Sequence, residues 1–119
     1  MTEADLFAIL DSAMPGRVFT PIAPKGTVEP YVIYQDVTVL PTNTMCGYAW
    51  LDQCHWQIDS YARTKGEARA NMELVKQALH AADPQPTVEN EQSLYEVETR
   101  LCRRMVQVIT WDSTGKVTA

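Results

Sequence analysis

Gln53–Leu79, QCHWQIDSYARTKGEARANMELVKQAL, reads as a strand that runs straight into a helix. From Gln53 to Ala62 the residues alternate: Cys54, Trp56, Ile58 and Ser60 share one face, His55, Gln57, Asp59 and Tyr61 the other. A period of two marks a half-buried strand, so the first set is the predicted core face and the second the predicted exposed face. The pattern switches at Thr64. Thr64-Lys65-Gly66-Glu67 has capping-box spacing, in which hydroxyl and carboxylate satisfy orphan amides at a helix start. Beyond it Ala68, Met72, Val75 and Leu79 recur at helical spacing, with Arg69, Glu73, Lys76 and Gln77 mostly elsewhere on the surface.

Working outward, Thr2–Ala13 reads as a first helix, capped by Thr2, with Leu6, Ile9, Leu10 and Ala13 on one stripe. Pro15-Gly16 ends it. Arg17–Thr20 fits a short strand, followed by the turn-rich PIAPKGTVEP. Tyr31–Leu40, YVIYQDVTVL, is rich in β-branched and aromatic residues and reads as a long strand. Pro41–Trp50, PTNTMCGYAW, reads as a polar, glycine-containing loop. Asp83-Pro84-Gln85-Pro86 stops the second helix. Ser93–Thr99, a turn near Arg100, and Leu101–Trp111 form the last β region, and the tail DSTGKVTA reads as loose. The fold class is therefore α+β, in the order α-β-β-β-α-β-β. A single domain over residues 1–119 is expected, with two amphipathic helices on one face of an antiparallel-rich sheet of four or five strands. Strands 2 and 3 make a hairpin around the 41–50 loop, and strands 4 and 5 a second pair.

Composition narrows the function classes. At 119 residues, one domain hides roughly two-thirds of the surface its unfolded chain exposes. With 45% apolar and 21% charged residues, wholesale disorder is disfavoured. The apolar runs are only a few residues long, too short to span a bilayer. MTEADLFAILDSA has acids and no base ahead of an amphipathic pattern, the reverse of a secretory signal, so a cytoplasmic site of synthesis is expected. Fifteen acids against ten bases give a formal charge of −5, which disfavours a grip on phosphate backbones. The local exception, Arg100, Arg103 and Arg104, is read as a solvated strand end or as partners for Glu96 and Glu98. Cys46, Cys54 and Cys102 are odd in number and lack a CxxC pair, which fits a reducing compartment.

Chemistry-bearing patterns are few. Cys54-His55 could enter a metal site with Cys46, His80 or Cys102, but neighbours on a strand point to opposite faces and cannot readily share an ion. Ser60, His55 and Asp59 are the residue types of a hydrolytic triad, yet Ser60 points away from the other two. Asp52 and Asp59 stand roughly 23 Å apart on an extended strand, too far for a carboxylate pair. Tyr31, Tyr34, Trp50, Trp56, Tyr61 and Trp111 read as core or interface before they read as a pocket. No catalytic residue, cofactor or metal ligand is assigned.

Several segments together resemble the tail completion proteins of long-tailed bacteriophages and prophages, also called tail terminator or head–tail joining proteins. The resemblance rests on the opening helix, VFTPIAPKGTVEPYVIYQ, the polar loop with PTNT, and HWQIDSYARTKGEARANMELVKQAL, in which WQIDSYARTKGEA is the most recognisable part. These pieces cover about two-thirds of the chain, and their motifs are structural. The resemblance implies a virion protein of the tail neck, made in the host cytoplasm, that closes into a ring, typically hexameric. Such a ring terminates the tail tube and offers a surface to the head connector. Its implied partners are copies of itself, the tail tube protein and head connector proteins, with DNA passing through and no membrane.

Ring contacts join two different patches of each subunit. Met45, Tyr48 and Trp50, larger apolar residues on a polar loop, are the candidate contact residues; the competing expectation is that they fold back on the sheet. Acidic balance suits a lumen through which DNA slides. Two rivals remain. A small ligand-binding domain or enzyme on the aromatic sheet face would show a concave pocket with converging polar groups. A nucleic-acid binder would interleave basic and aromatic residues on an open face, where strand 3 offers His55, Gln57, Asp59 and Tyr61.

Overall fold

In a computed structural model of the protein, Thr64 is extended and its Oγ1 accepts a hydrogen bond from the Glu67 amide at 3.1 Å, so the predicted cap starts the second helix. The structure describes residues 3–20, 22–44, 47–82, 85–97 and 100–112; for 40–44, 47–52 and 112 the description is of the backbone. The expected cap Thr2 and the expected loose tail beyond Asp112 lie outside these residues.

Helix α1 spans Glu3–Ala13 and ends ahead of Gly16, whose φ of 72° suits glycine and whose amide donates to Asp11 Oδ1 at 3.0 Å. Strands β1 (Val18–Phe19), β2 (Tyr31–Thr44) and β3 (Gly47–Ala62) follow, then α2 (Lys65–His80), β4 (Thr87–Glu96) and β5 (Leu101–Asp112). The five strands form one sheet in the order β1-β2-β3-β5-β4. The short β1 runs parallel to β2, and every other pairing is antiparallel. The α+β architecture and its element order agree with the sequence reading.

Two spans differ from expectation. The predicted loop over 41–50 is strand as far as Thr44 and again from Gly47, because the β2–β3 ladder continues through Pro41↔Asp52, Asn43↔Tyr48 and Thr44↔Gly47. A register shift between Pro41 and Asn43 lets the proline, which has no amide to donate, sit in the ladder. β4 begins at Thr87, six residues before the predicted start at Ser93. Its first half, TVENEQ, is polar because it is an edge strand with little to bury.

Both helices pack on one face. Leu6 and Leu10 of α1 and Met72, Val75 and Leu79 of α2 close over Val32, Tyr34, Trp56, Ile58, Val106 and Val108. The predicted stripe of α2, Ala68, Met72, Val75 and Leu79, is the buried one. Trp56 is pinned as well as packed: its Nε1 donates to the buried Thr110 Oγ1 at 2.8 Å. A buried indole N–H left unpaired would cost about 1–3 kcal/mol, so this bond fixes which way the ring lies.

Candidate assembly surfaces

The alternation along β3 assigns its two faces correctly but not their exposure. Cys54, Trp56, Ile58 and Ser60 are buried under the helices. On the other face, which no helix covers, Asp59 is only 3% exposed and Tyr61 8%, against the expectation that both are solvated. Neighbouring side chains do the covering. Tyr61 stacks on Tyr31 with ring centroids 5.0 Å apart. Asp59 Oδ2 accepts from Gln57 Nε2 at 3.1 Å, and Arg103 Nε lies 3.2 Å from Oδ1. Burial pushes the Asp59 carboxyl above its usual range, opposed by Gln57 and Arg103. Burial likewise raises the Tyr61 phenol, with Asp59 and Glu96 adding to it.

Within the arginine cluster Arg104 pairs with Glu91, which is not among the expected partners; of those, Glu98 lies outside the described residues. Arg104 Nε lies 2.5 Å from Glu91 Oε2 and its other guanidinium branch donates to Ser93 Oγ, while Lys76 Nζ of α2 sits 2.7 Å from Glu91 Oε1. Glu91 thus fastens β4 to both β5 and α2. Burial works against its charge, but Lys76 and Arg104 outweigh that and hold the carboxyl below its usual range. Nothing in the sequence marked this residue, because the strand carrying it was not legible there. At the same end of the sheet, Arg63 pairs with Glu29.

The catalytic readings are not assembled. Ser60 is wholly buried on the helix face, whereas His55 and Asp59 belong to the opposite face. The aromatic residues do not form one surface either. Tyr34 and Trp56 lie in the core with centroids 6.2 Å apart, Tyr31 and Tyr61 stack on the other face, and Trp111 is exposed. No helix among the described residues is long and apolar enough to cross a membrane.

What the sheet does present is a protruding ribbon. β3 pairs with β5 only as far as Asp52↔Asp112, and β1 flanks β2 only at Val32 and Ile33. Residues 43–44 and 47–48 therefore pair with each other, and among the described strands no third strand flanks 41–44 or 47–51. The segment from Val37 to Leu51 contains no Asp, Glu, Lys or Arg. A two-stranded ribbon is marginal by itself in water, and an uncharged one invites a partner. Of the candidate contact residues, Tyr48 and Trp50 lie on the β3 side of this ribbon; their side chains, and Met45 altogether, lie outside the described residues.

A family model described as tail completion protein gp17 matches residues 2–112. The chain belongs to that family. It is a virion tail assembly protein. A solved structure described as the virion of a native gene transfer agent particle contains a similar chain, with a TM-score of 0.67 and 16% identity over 86% of this chain and 82% of that one. At that identity the likeness is one of fold, and it agrees with the α+β sheet built above. No curated protein matches the chain. The strand-to-helix segment Gln53–Leu79 lies wholly inside the matched range.

Proposed function

We propose that this tail completion protein closes into a ring, six-membered as the resemblance implies, at the head-proximal end of the tail, where it ends tube polymerisation and meets the head connector. The observation that carries the reading is the uncharged β2–β3 ribbon, which no other described strand flanks. Such a ribbon gains more from a neighbouring subunit than from water, and contact residues Met45, Tyr48 and Trp50 belong to it or to its tip by sequence.

The role is structural, with copies of itself, the tail tube protein and connector proteins as partners. The similar solved chain is part of a gene transfer agent virion, which supports a place in a virion for this one. The formal charge of −5 suits a lumen that lets DNA pass, since like charge weakens non-specific attraction. Electron microscopy of particles from a lysate lacking the gene tests the reading. Overlong tails, or full heads separate from tails, are expected. Normal infectious particles would overturn it.

A further inference from the structure

At the end of the sheet away from the ribbon lies a cavity of about 210 Å³ between the first turn of α2 and strands β4 and β5. Its lining includes Ala68, Leu94, Tyr95 and Cys102, with Lys65 and Arg104 among its polar members. Leu94 and Tyr95 are exposed, Tyr95 by 58%, and Val97 just beyond them by 78%. Three exposed apolar residues in four positions on a free edge are unusual on an acidic chain. Arg104 is occupied by Glu91 and Ser93, whereas Lys65 holds no ion pair among the described residues.

The cavity and the ribbon stand at opposite ends of the molecule. Ala62↔Cys102 and Ser93↔Arg104 locate the cavity at the C-terminal end of β3, while Thr44↔Gly47 locates the ribbon tip at its N-terminal end. β3 has 16 residues, which at a rise of about 3.3 Å each span about 50 Å. That matches the 51 Å long axis of the chain. A chain with an uncharged, aromatic-bearing projection at one end and an apolar recess at the other can associate head to tail, the contact type that closes rings.

The geometry points to this cavity as the socket for the β2–β3 ribbon of a second copy of this chain. The inference rests on the ring reading above and names the two patches that meet. The occupant's chemistry fits. The ribbon brings tyrosine and tryptophan without any charge, so its own entry into the recess desolvates no ion of the ribbon. Lys65 and Arg104 at the recess favour an aromatic ring over an aliphatic one. The exposed end of β4 also offers unpaired backbone groups to an incoming strand.

The test uses natural thiols. Cys102 lines the socket, and Cys46 falls in sequence between the two ribbon strands. A short-spacer bismaleimide, applied to purified protein over a concentration series and to tails from particles, should join Cys46 of one copy to Cys102 of the next. The ladder should vanish in both Cys46→Ser and Cys102→Ser. Tyr95→Arg and Trp50→Ala should each weaken self-association about tenfold or more, as central contact residues do. Their thermal melts should match the parent, and an equimolar mixture should recover dimers through the one intact joint.

Assembly that persists in the tail with no Cys46–Cys102 cross-link, and that ignores Tyr95→Arg, would overturn the socket and leave the ring standing. Only monomers in the purified protein, together with its absence from the tail, would overturn both.

Discussion

Arg103 Nε lies 3.2 Å from Asp59 Oδ1 across the β3–β5 ladder, on the face of the sheet that neither helix covers. Neither atom completes a hydrogen bond with good geometry. The pair is held by charge and by burial among its neighbours. Burial keeps the Asp59 carboxyl above its usual range, so the folded chain binds that proton more tightly than the unfolded chain does. The group's contribution to stability is therefore largest in acid. It falls as the pH rises from about 4, the ordinary aspartate value, through the raised folded value, and is flat above it. Asp59→Asn removes that slope. Urea midpoints of parent and variant at pH 4, 5, 6 and 7 should show the parent losing ground to the variant as pH rises; a constant difference would refute the assignment.

Glu91 gives the opposite sign. Lys76 and Arg104 hold its carboxyl low, so its stabilisation is present above the ordinary glutamate range and is lost as the pH falls through the folded value. Glu91→Gln should cost about 1.5–3 kcal/mol at neutral pH, the range for hydrogen bonds to charged groups. The cost should shrink towards acid. Hydrogen exchange should show the loss concentrated in β4, because Glu91 is that strand's tie to α2.

Trp56→Ala should be among the most damaging single changes, at about 3–5 kcal/mol for a buried aromatic. Ile58→Asn, which places an amide among Val32, Val106 and the helices, should also damage folding severely. Trp56→Phe separates packing from bonding, since it keeps a ring but strips Thr110 Oγ1 of its donor. A loss well below that of Ala, yet still about 1 kcal/mol, is expected from chemical denaturation.

Changes at Met45, Tyr48 or Trp50 should leave the melting temperature near that of the parent and weaken assembly. Variants that unfold as badly as Trp56→Ala would mean that the ribbon belongs to the core.

Arg100 sits at a φ of 58° in the β4–β5 turn, its amide donating to Glu96 O at 2.8 Å. A left-handed backbone costs an L-residue about 1–2 kcal/mol. Arg100→Gly should therefore raise stability by up to about 1 kcal/mol, after glycine's greater freedom in the unfolded chain is set against the relief. A thermal melt reads this directly.

The differences between sequence and structure follow from where side-chain periodicity carries information. Thr64 and the run Ala68, Met72, Val75, Leu79 were legible because a cap and an apolar stripe are local patterns that the core then uses unchanged. The face assignment of β3 was legible for the same reason. The burial of Asp59 and Tyr61 was not, since their cover comes from Arg103 and Tyr31, far away in sequence. The ribbon escaped because PTNT reads as a turn and only backbone pairing carries the strands on, and the first half of β4 because an edge strand with little to bury carries no alternation. The resemblance located the family, while the recess at Leu94 and Tyr95 had no signature until β4 was in place beside β5.

The order of the sheet also bears on when this domain comes into being. β5, made after the other described strands, lies between β3 and β4 and pairs with both along its length. Until residues 101–112 clear the ribosome, β4 has no neighbour and Val106 and Val108 are missing from beneath the helices. Folding must then wait for nearly the whole chain instead of following synthesis, which for a sheet of long-range contacts is also the slower route. A ribosome that stops early releases a chain with no finished sheet, so only subunits translated through β5 can compete for a place on the tail.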